Sequence, residues 1–160
     1  MKIVVLSDTH TGSMDQIPRS VVDELSGADL VVHAGDFTGR TLLDQLRRLR
    51  NFTGVHGNLD SPDIKQELPA QTTIVVGSFR IGITHPSEGG MALGVEERVR
   101  AKFQDVDAII FGHTHMAKNE YRDKVLYFNP GSATGTFPAS EKTFGIITVE
   151  KEMKGEILRA

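Results

Sequence analysis

The sequence predicts an α/β fold with two mixed β-sheets and helices covering the outer faces. Three patterns lead there. Short unbroken apolar runs alternate with helical spacing through the first part of the chain; two β-rich runs meet at Gly77-Ser78; and the tail reads as strand hairpins. At 160 residues the chain is long enough for one sizeable core and short for two, so residues 1–160 are read as a single domain.

The elements run in order along the chain. Residues 3–6, all apolar, form a fully buried strand. Ile17, Val21, Val22 and Leu25 recur at helical spacing, with Pro18 suited to a first turn. Residues 29–33 are a second strand. Leu42, Leu46 and Leu49 mark a second helix whose Arg47, Arg48 and Arg50 lie mostly on its wet side. With a third strand at 52–56, this half is a βαβαβ unit with parallel strands. After Pro69, "TTIVVGSFRIGIT" reads as a hairpin turning at Gly77-Ser78. A helix through Val95, Val99 and Phe103 and a strand at 107–111 come next. Hairpin turns are expected near Arg122-Asp123 and Met153-Lys154-Gly155.

Composition narrows function. A net charge of -3 leaves no basic excess for a phosphate backbone, so extended nucleic acid is an unexpected partner. Without cysteine there is no disulfide, thiolate site or thiol nucleophile. The apolar start is shorter than a signal-peptide core, and no run approaches the roughly 20 residues that span a bilayer. The expectation is a soluble, cytoplasmic protein with no membrane partner.

Residues able to titrate or ligate cluster in one kind of place. Asp8 and His10, Asp36, Asn58 and Asp60, His85, and His113 and His115 each come just past the end of a predicted strand. In open α/β sheets the crevice beyond those ends binds ligands, so residues remote in sequence are expected to converge. Asp8 with His10, and His113 with His115, are two apart, which in extended chain puts both side chains on one side. Gly35, Gly57 and Gly112 each precede a candidate ligand and permit a sharp turn. Nitrogen and oxygen donors of this kind suit Mn, Fe, Zn, Ni or Co. With Asp60 left open, the seven others are too many for a catalytic zinc with three protein ligands, and about right for two ions sharing a carboxylate. Such pairs, ~3.5 to 4 Å apart, serve phosphoryl-transfer hydrolases.

In order, the motifs are Asp8-Thr9-His10, Gly35-Asp36-Phe37-Thr38-Gly39, Gly57-Asn58-Leu59-Asp60, Thr84-His85 and Gly112-His113-Thr114-His115. This series resembles the calcineurin-like metallophosphoesterases, in particular the small stand-alone phosphodiesterases. The resemblance implies a four-layer αββα sandwich and two divalent ions, manganese first, with nickel, iron, zinc or cobalt also suited. It implies one ion on Asp8, His10, Asp36 and His115, and a second on Asp36, Asn58, His85 and His113, with Asp36 bridging. Hydroxide held between them attacks a small phosphodiester, and Asp36, Asn58 and His85 are the expected catalytic residues. Relatives also suggest a homo-oligomer. Where many members carry a histidine that protonates the leaving group this chain has Leu59, a loss of the histidine that the small phosphodiesterases commonly share, and "HPSEGG" stands where relatives often have a glycine and another histidine after His85.

Other readings keep their weight. A phosphomonoesterase or nucleotide phosphatase of the same superfamily uses the same motifs. An inactive scaffold, like the metallophosphoesterase-like retromer subunit, is expected to have lost ligand positions, and none of the seven is replaced. His33 and His56 are read as structural, with contact behind the ligands open to either. Asp60 either supports the ligands or caps the next helix. The stretch "NPGS", residues 129–132, resembles the loop that ends a strand near the site in the small phosphodiesterases, with no catalytic role assigned.

Overall fold

In the computed structural model, which describes residues 1–49, 51–88 and 94–160, ten strands form two sheets of five. Arg50 of the arginine run, and Gly89-Gly90 of the loop after His85, lie outside the described residues.

The first half builds one sheet. β1 (Lys2–Leu6), β2 (Leu30–His33) and β3 (Phe52–Gly54) are parallel, with Ile3 opposite Leu30 and Val31 opposite Phe52. The intervening helices are α1 (Arg19–Ser26) and α2 (Arg40–Arg47), after a short 3-10 turn at Met14–Gln16. α3 (Pro62–Glu67) follows β3, with proline at its start, where a missing N–H costs nothing. The second sheet holds β4 (Gln71–Val76), β5 (Phe79–Thr84), β6 (Ala108–Phe111), β7 (Lys118–Arg122) and β8 (Val125–Asn129), in the order β4-β5-β6-β8-β7. α4 (Val95–Lys102) bridges β5 and β6. β9 (Thr143–Val149) and β10 (Met153–Arg159) return to the first sheet, antiparallel beside β1. Both sheets are mixed, with parallel centres.

Alternation along the strands produces the four layers. Ile3 and Val5 of β1 face Ile81, Ile83, Ile110 and Leu126 across the gap between the sheets. Val4 and Leu6 point the other way, onto Val21, Leu25, Leu42, Leu46 and Ile64 of α1, α2 and α3. Ile109 and Phe111 pack outward on Val95, Val99 and Phe103. Strands covered on both faces need apolar residues at every position, hence the unbroken runs, and each such side chain fully buried stabilises by about 1.5 to 3 kcal/mol. Among the described residues no helix is long and apolar enough to cross a membrane.

Several boundaries depart from expectation: β2 and β6 each begin one residue later, at Leu30 and Ala108, and α2 and α4 end before Leu49 and Phe103. β3 stops at Gly54 rather than residue 56. The final hairpin turns between Val149 and Met153, and Gly155 lies inside β10. This glycine marks a close approach, not a turn: a Cβ there would sit 2.6 Å from Asn119 Oδ1 and 2.7 Å from the Phe128 ring, and the Gly155 carbonyl accepts from Asn119 Nδ2 at 2.7 Å.

Candidate metal centre

The strand ends of both sheets deliver their loops to one place. Asp8 and His10 leave β1, Asp36 leaves β2, Asn58 follows β3, His85 follows β5, and His113 and His115 follow β6. The side chains of all seven come together. Ligand atoms of Asp8, His10, Asp36 and His115 lie within 4.8 Å of one another. On the other side, Asn58 Oδ1 is 3.2 Å from His85 Nε2 and 3.1 Å from His113 Nδ1. Asp36 joins the halves, its Oδ2 being 3.3 Å from His85 Nε2 and 3.8 Å from His10 Nε2.

The paired residues do not share a side through extended chain, as the spacing suggested. Asp8, His10, Asp36, His113 and His115 all have left-handed backbones, with φ of 50°, 43°, 59°, 77° and 58°. For residues with a Cβ that conformation costs about 1 to 3 kcal/mol each, and such strain gathers where geometry serves a function. The neighbouring glycines make room. A Cβ on Gly57 would lie 2.1 Å from Asp36 Oδ1, and one on Gly112 would lie 1.9 Å from Ser7 Oγ and 2.8 Å from Asp8 Oδ2.

Hydrogen bonds set the ring tautomers. His115 Nδ1 donates to the Thr136 carbonyl at 2.9 Å, and His85 Nδ1 donates to the Ala34 carbonyl at 2.7 Å. A carbonyl only accepts, so each neutral ring presents its Nε2 lone pair to the centre. His115 Nε2 there meets Asp8 Oδ1 at 3.2 Å and His10 Nε2 at 3.2 Å. His85 Nε2 meets Asp36 Oδ2 at 3.3 Å and Asn58 Oδ1 at 3.2 Å. Acceptors face acceptors, an arrangement that a cation between them relieves.

Without a metal, a proton takes the cation's place: burial disfavours the charged form of His85 and His115, yet the hydrogen bonding and charge of Asp36 and Asp8 outweigh it and raise both. Burial likewise opposes ionisation of Asp36, but His85, the Leu59 amide and His10 hold it below the usual carboxylate range. At His10 and His113 burial dominates and lowers the imidazoles. Asp36 is thus held ready to face positive charge, and the His10 and His113 rings favour the neutral form, with a lone pair to give.

A second layer, only partly anticipated, holds the first. Asp60 does not cap α3, whose N-cap is Ser61. It accepts from the amides of Gly57 at 2.7 Å, Thr38 at 2.8 Å and Asp36 at 3.0 Å, tying the loop after β2 to the loop after β3. His33, fully buried, stacks on Phe37, accepts from the Gly35 amide at 3.2 Å through Nδ1 and donates Nε2–H to Thr9 Oγ1 at 3.1 Å. Ser132 and Thr134 donate to the carbonyls of Asp8 and Thr9, both at 2.7 Å. Asn129 Nδ2 donates to Thr114 Oγ1 at 3.0 Å. Thus the loop from 129 to 136 braces both the Asp8 and the His115 segments. Its signal in sequence was "NPGS" alone; Thr134 and Thr136 carried none. His56 is half-buried at a pocket edge, and Leu59 is 60% exposed while its amide donates to Asp36 Oδ1 at 2.8 Å.

Residues 1–152 match the model of the calcineurin-like phosphoesterase superfamily domain. The chain belongs to that superfamily. A probable metallophosphoesterase of Methanocaldococcus jannaschii is 34% identical over 139 residues, covering 84% of this chain and 69% of the relative. A phosphodiesterase of the same organism is 28% identical over 174 residues, with 99% of each chain covered. Among solved structures, one described as a novel archaeal phosphodiesterase is 26% identical, with a TM-score of 0.76 and coverage of 99% of this chain and 100% of that one. Vps29 of Entamoeba histolytica complexed with Zn2+ is also 26% identical, with a TM-score of 0.77 over 99% of both chains. The superfamily thus accounts for the fold, and a candidate metal-binding cluster lies where the sequence motifs meet.

Proposed function

We propose that residues 1–160 form one domain acting as a dimetal-dependent phosphodiesterase. One divalent ion would be held by Asp8, His10, Asp36 and His115, and the other by Asp36, Asn58, His85 and His113, with manganese the first ion to try. The observation that carries the reading is the meeting of lone pairs: Nε2 of His115 and of His85, the bare nitrogen of each neutral ring whose Nδ1–H donates to a carbonyl, face carboxylate or carboxamide oxygens at 3.2 to 3.3 Å, so that a cation, proton or metal, is called for between them. Bound there, two divalent ions supply Lewis-acid charge to a phosphoryl group and acidify water.

The chain's own residues set the geometry and the limits of that chemistry. Asp36 belongs to both halves and fixes their separation; the Leu59 amide and Asp60 fix Asp36. Asn58 and His85 face a pocket of about 370 Å3, the natural place for one ester arm. Leu59 has no proton to give a departing alkoxide, so good leaving groups are favoured by the ~100 to 10,000-fold that a general acid contributes. The match to relatives named phosphodiesterase supports diester chemistry. The likeness to Vps29 chains favours a second reading, a scaffold that binds proteins and turns nothing over.

Metal-stripped protein given Mn2+ and bis(p-nitrophenyl) phosphate separates the two. The diesterase reading expects metal-dependent release of nitrophenolate, reduced at least ~100-fold in Asp36→Asn. No turnover with any divalent ion overturns it and leaves the scaffold.

A further inference from the structure

The pocket beside the second half of the centre is more basic than the acidic chain as a whole. It is lined by Asn58 and His85 and, around them, by Lys65, Lys102, Ser87 and Glu88, with His56 at its edge. Lys65 stands on α3 and donates through Nζ to the backbone carbonyl of Asn58 at 2.7 Å. That bond uses one of three ammonium protons, and among the described residues no carboxylate pairs with Lys65. Lys102, at the end of α4, pairs with Glu88 at 2.9 Å across the pocket. One negative side chain therefore answers two positive ones, next to the candidate centre.

We infer that this pocket is an anion subsite, and that the preferred substrates are phosphodiesters in which one ester arm carries a further phosphate or carboxylate. The inference rests on the phosphodiesterase reading and deepens it. The scissile phosphoryl lies at the seven converging side chains, one arm extends over Asn58 and His85, and its second charge meets Lys65 with Lys102 behind it. Charge-assisted hydrogen bonds are stronger than neutral ones and weaken with salt when exposed, so discrimination between arms of different charge falls as ionic strength rises. Lys65 already touches the Asn58 carbonyl, so a tether for that loop is the alternative role. A tether affects every diester alike, whereas a subsite affects only the charged one.

A matched pair of substrates reads the difference: thymidine 5′-(p-nitrophenyl phosphate) and the same ester phosphorylated at the 3′ position, compared as a ratio of kcat/KM in the Mn2+-loaded protein. The expected ratio favours the phosphorylated ester by about tenfold at low salt, the scale of one charge-assisted contact. It should fall towards one in Lys65→Gln, fall partly in Lys102→Gln, and return in Lys65→Arg. A ratio near one in the unaltered protein, or one that Lys65→Gln leaves intact, overturns the subsite. Titration calorimetry with thymidine 3′,5′-bisphosphate against the 5′-monophosphate reads the same contact without turnover. Should neither ester be hydrolysed, a binding preference for the bisphosphate that Lys65→Gln removes keeps the subsite while the phosphodiesterase reading fails; equal binding of the two nucleotides ends the subsite as well.

Discussion

His33, the last residue of β2, and His115, in the loop after β6, both sit at strand ends, yet their ring nitrogens are met in opposite ways. His115 gives one nitrogen to a carbonyl and turns the other towards Asp8 and His10, where no proton donor of fixed polarity waits. His33 has a backbone donor on one nitrogen and a hydroxyl on the other, so a neutral ring is fully satisfied. The same contrast divides Asp36, whose Oδ2 faces imidazoles, from Asp60, whose oxygens take three backbone amides. The difference teaches that donors alone do not define the centre. What marks the front layer is unspent lone pairs, and what marks the layer behind is complete satisfaction.

The front layer also contains no group placed to release a proton to a leaving group, and the sharpest way to break the comparison is to add one. Leu59 is exposed, and its amide is already anchored to Asp36, so a side chain there enters without disturbing the core. Leu59→His should raise the rate on diesters with poor, alkyl leaving groups by about 100-fold, the lower scale of general acid catalysis, and add a descending alkaline limb to their pH profile. Bis(p-nitrophenyl) phosphate should respond little, because nitrophenolate departs unaided. An equal gain on both substrates would mean that the histidine acts on the site some other way.

Next in size is the layer behind. Asp60→Asn keeps the shape of the side chain but replaces one acceptor oxygen by a donor that faces amides. Outer-layer partners typically govern metal affinity by ~10 to 100-fold, and a loss of that size is expected for Mn2+ in a competition titration. If affinity is unchanged while thermal stability falls, Asp60 braces the fold and not the centre.

These two layers were unequally legible in the sequence. The front layer stood out because His and Asp repeated at strand ends, and buried parallel strands advertise those ends by continuous apolar runs such as 3–6 and 108–111. The left-handed backbone at Asp8, His10 and His115 had no such signal, since side chains other than glycine adopt it only where surrounding contacts over-determine it. Asp60 was visible as a choice between cap and support, which only the amides of Gly57, Thr38 and Asp36 decide. The brace from 129 to 136 was nearly silent, because hydroxyls that bond carbonyls more than 120 residues away look like any loop threonine or serine. The last turn was misplaced for a related reason: Gly155 is demanded by Phe128 and Asn119 of another sheet, which local pattern cannot reveal.

The smallest effect is the one that isolates the satisfied layer, and it is read in stability. Burial holds His33 down to about 3, against 6.5 when exposed. Between those values the unfolded chain binds a proton at this residue that the folded chain refuses, so stability is complete above pH 6.5 and declines as pH falls towards 3. At pH 5 the loss from this one group is about 2 kcal/mol, one and a half pH units below the exposed value. His33→Asn keeps an acceptor for the Gly35 amide and removes the titration. It gives up the stacking on Phe37 and the bond to Thr9, so it should be the less stable protein at pH 7.5 by roughly 1 to 3 kcal/mol. The gap between the two proteins should then narrow as pH falls to 5, in urea unfolding followed on metal-free samples. The front-layer histidines titrate in both proteins and contribute to the difference only through their coupling to His33. A gap that stays constant would mean that His33 is protonated in the folded protein, and that the layer behind the centre carries charge after all.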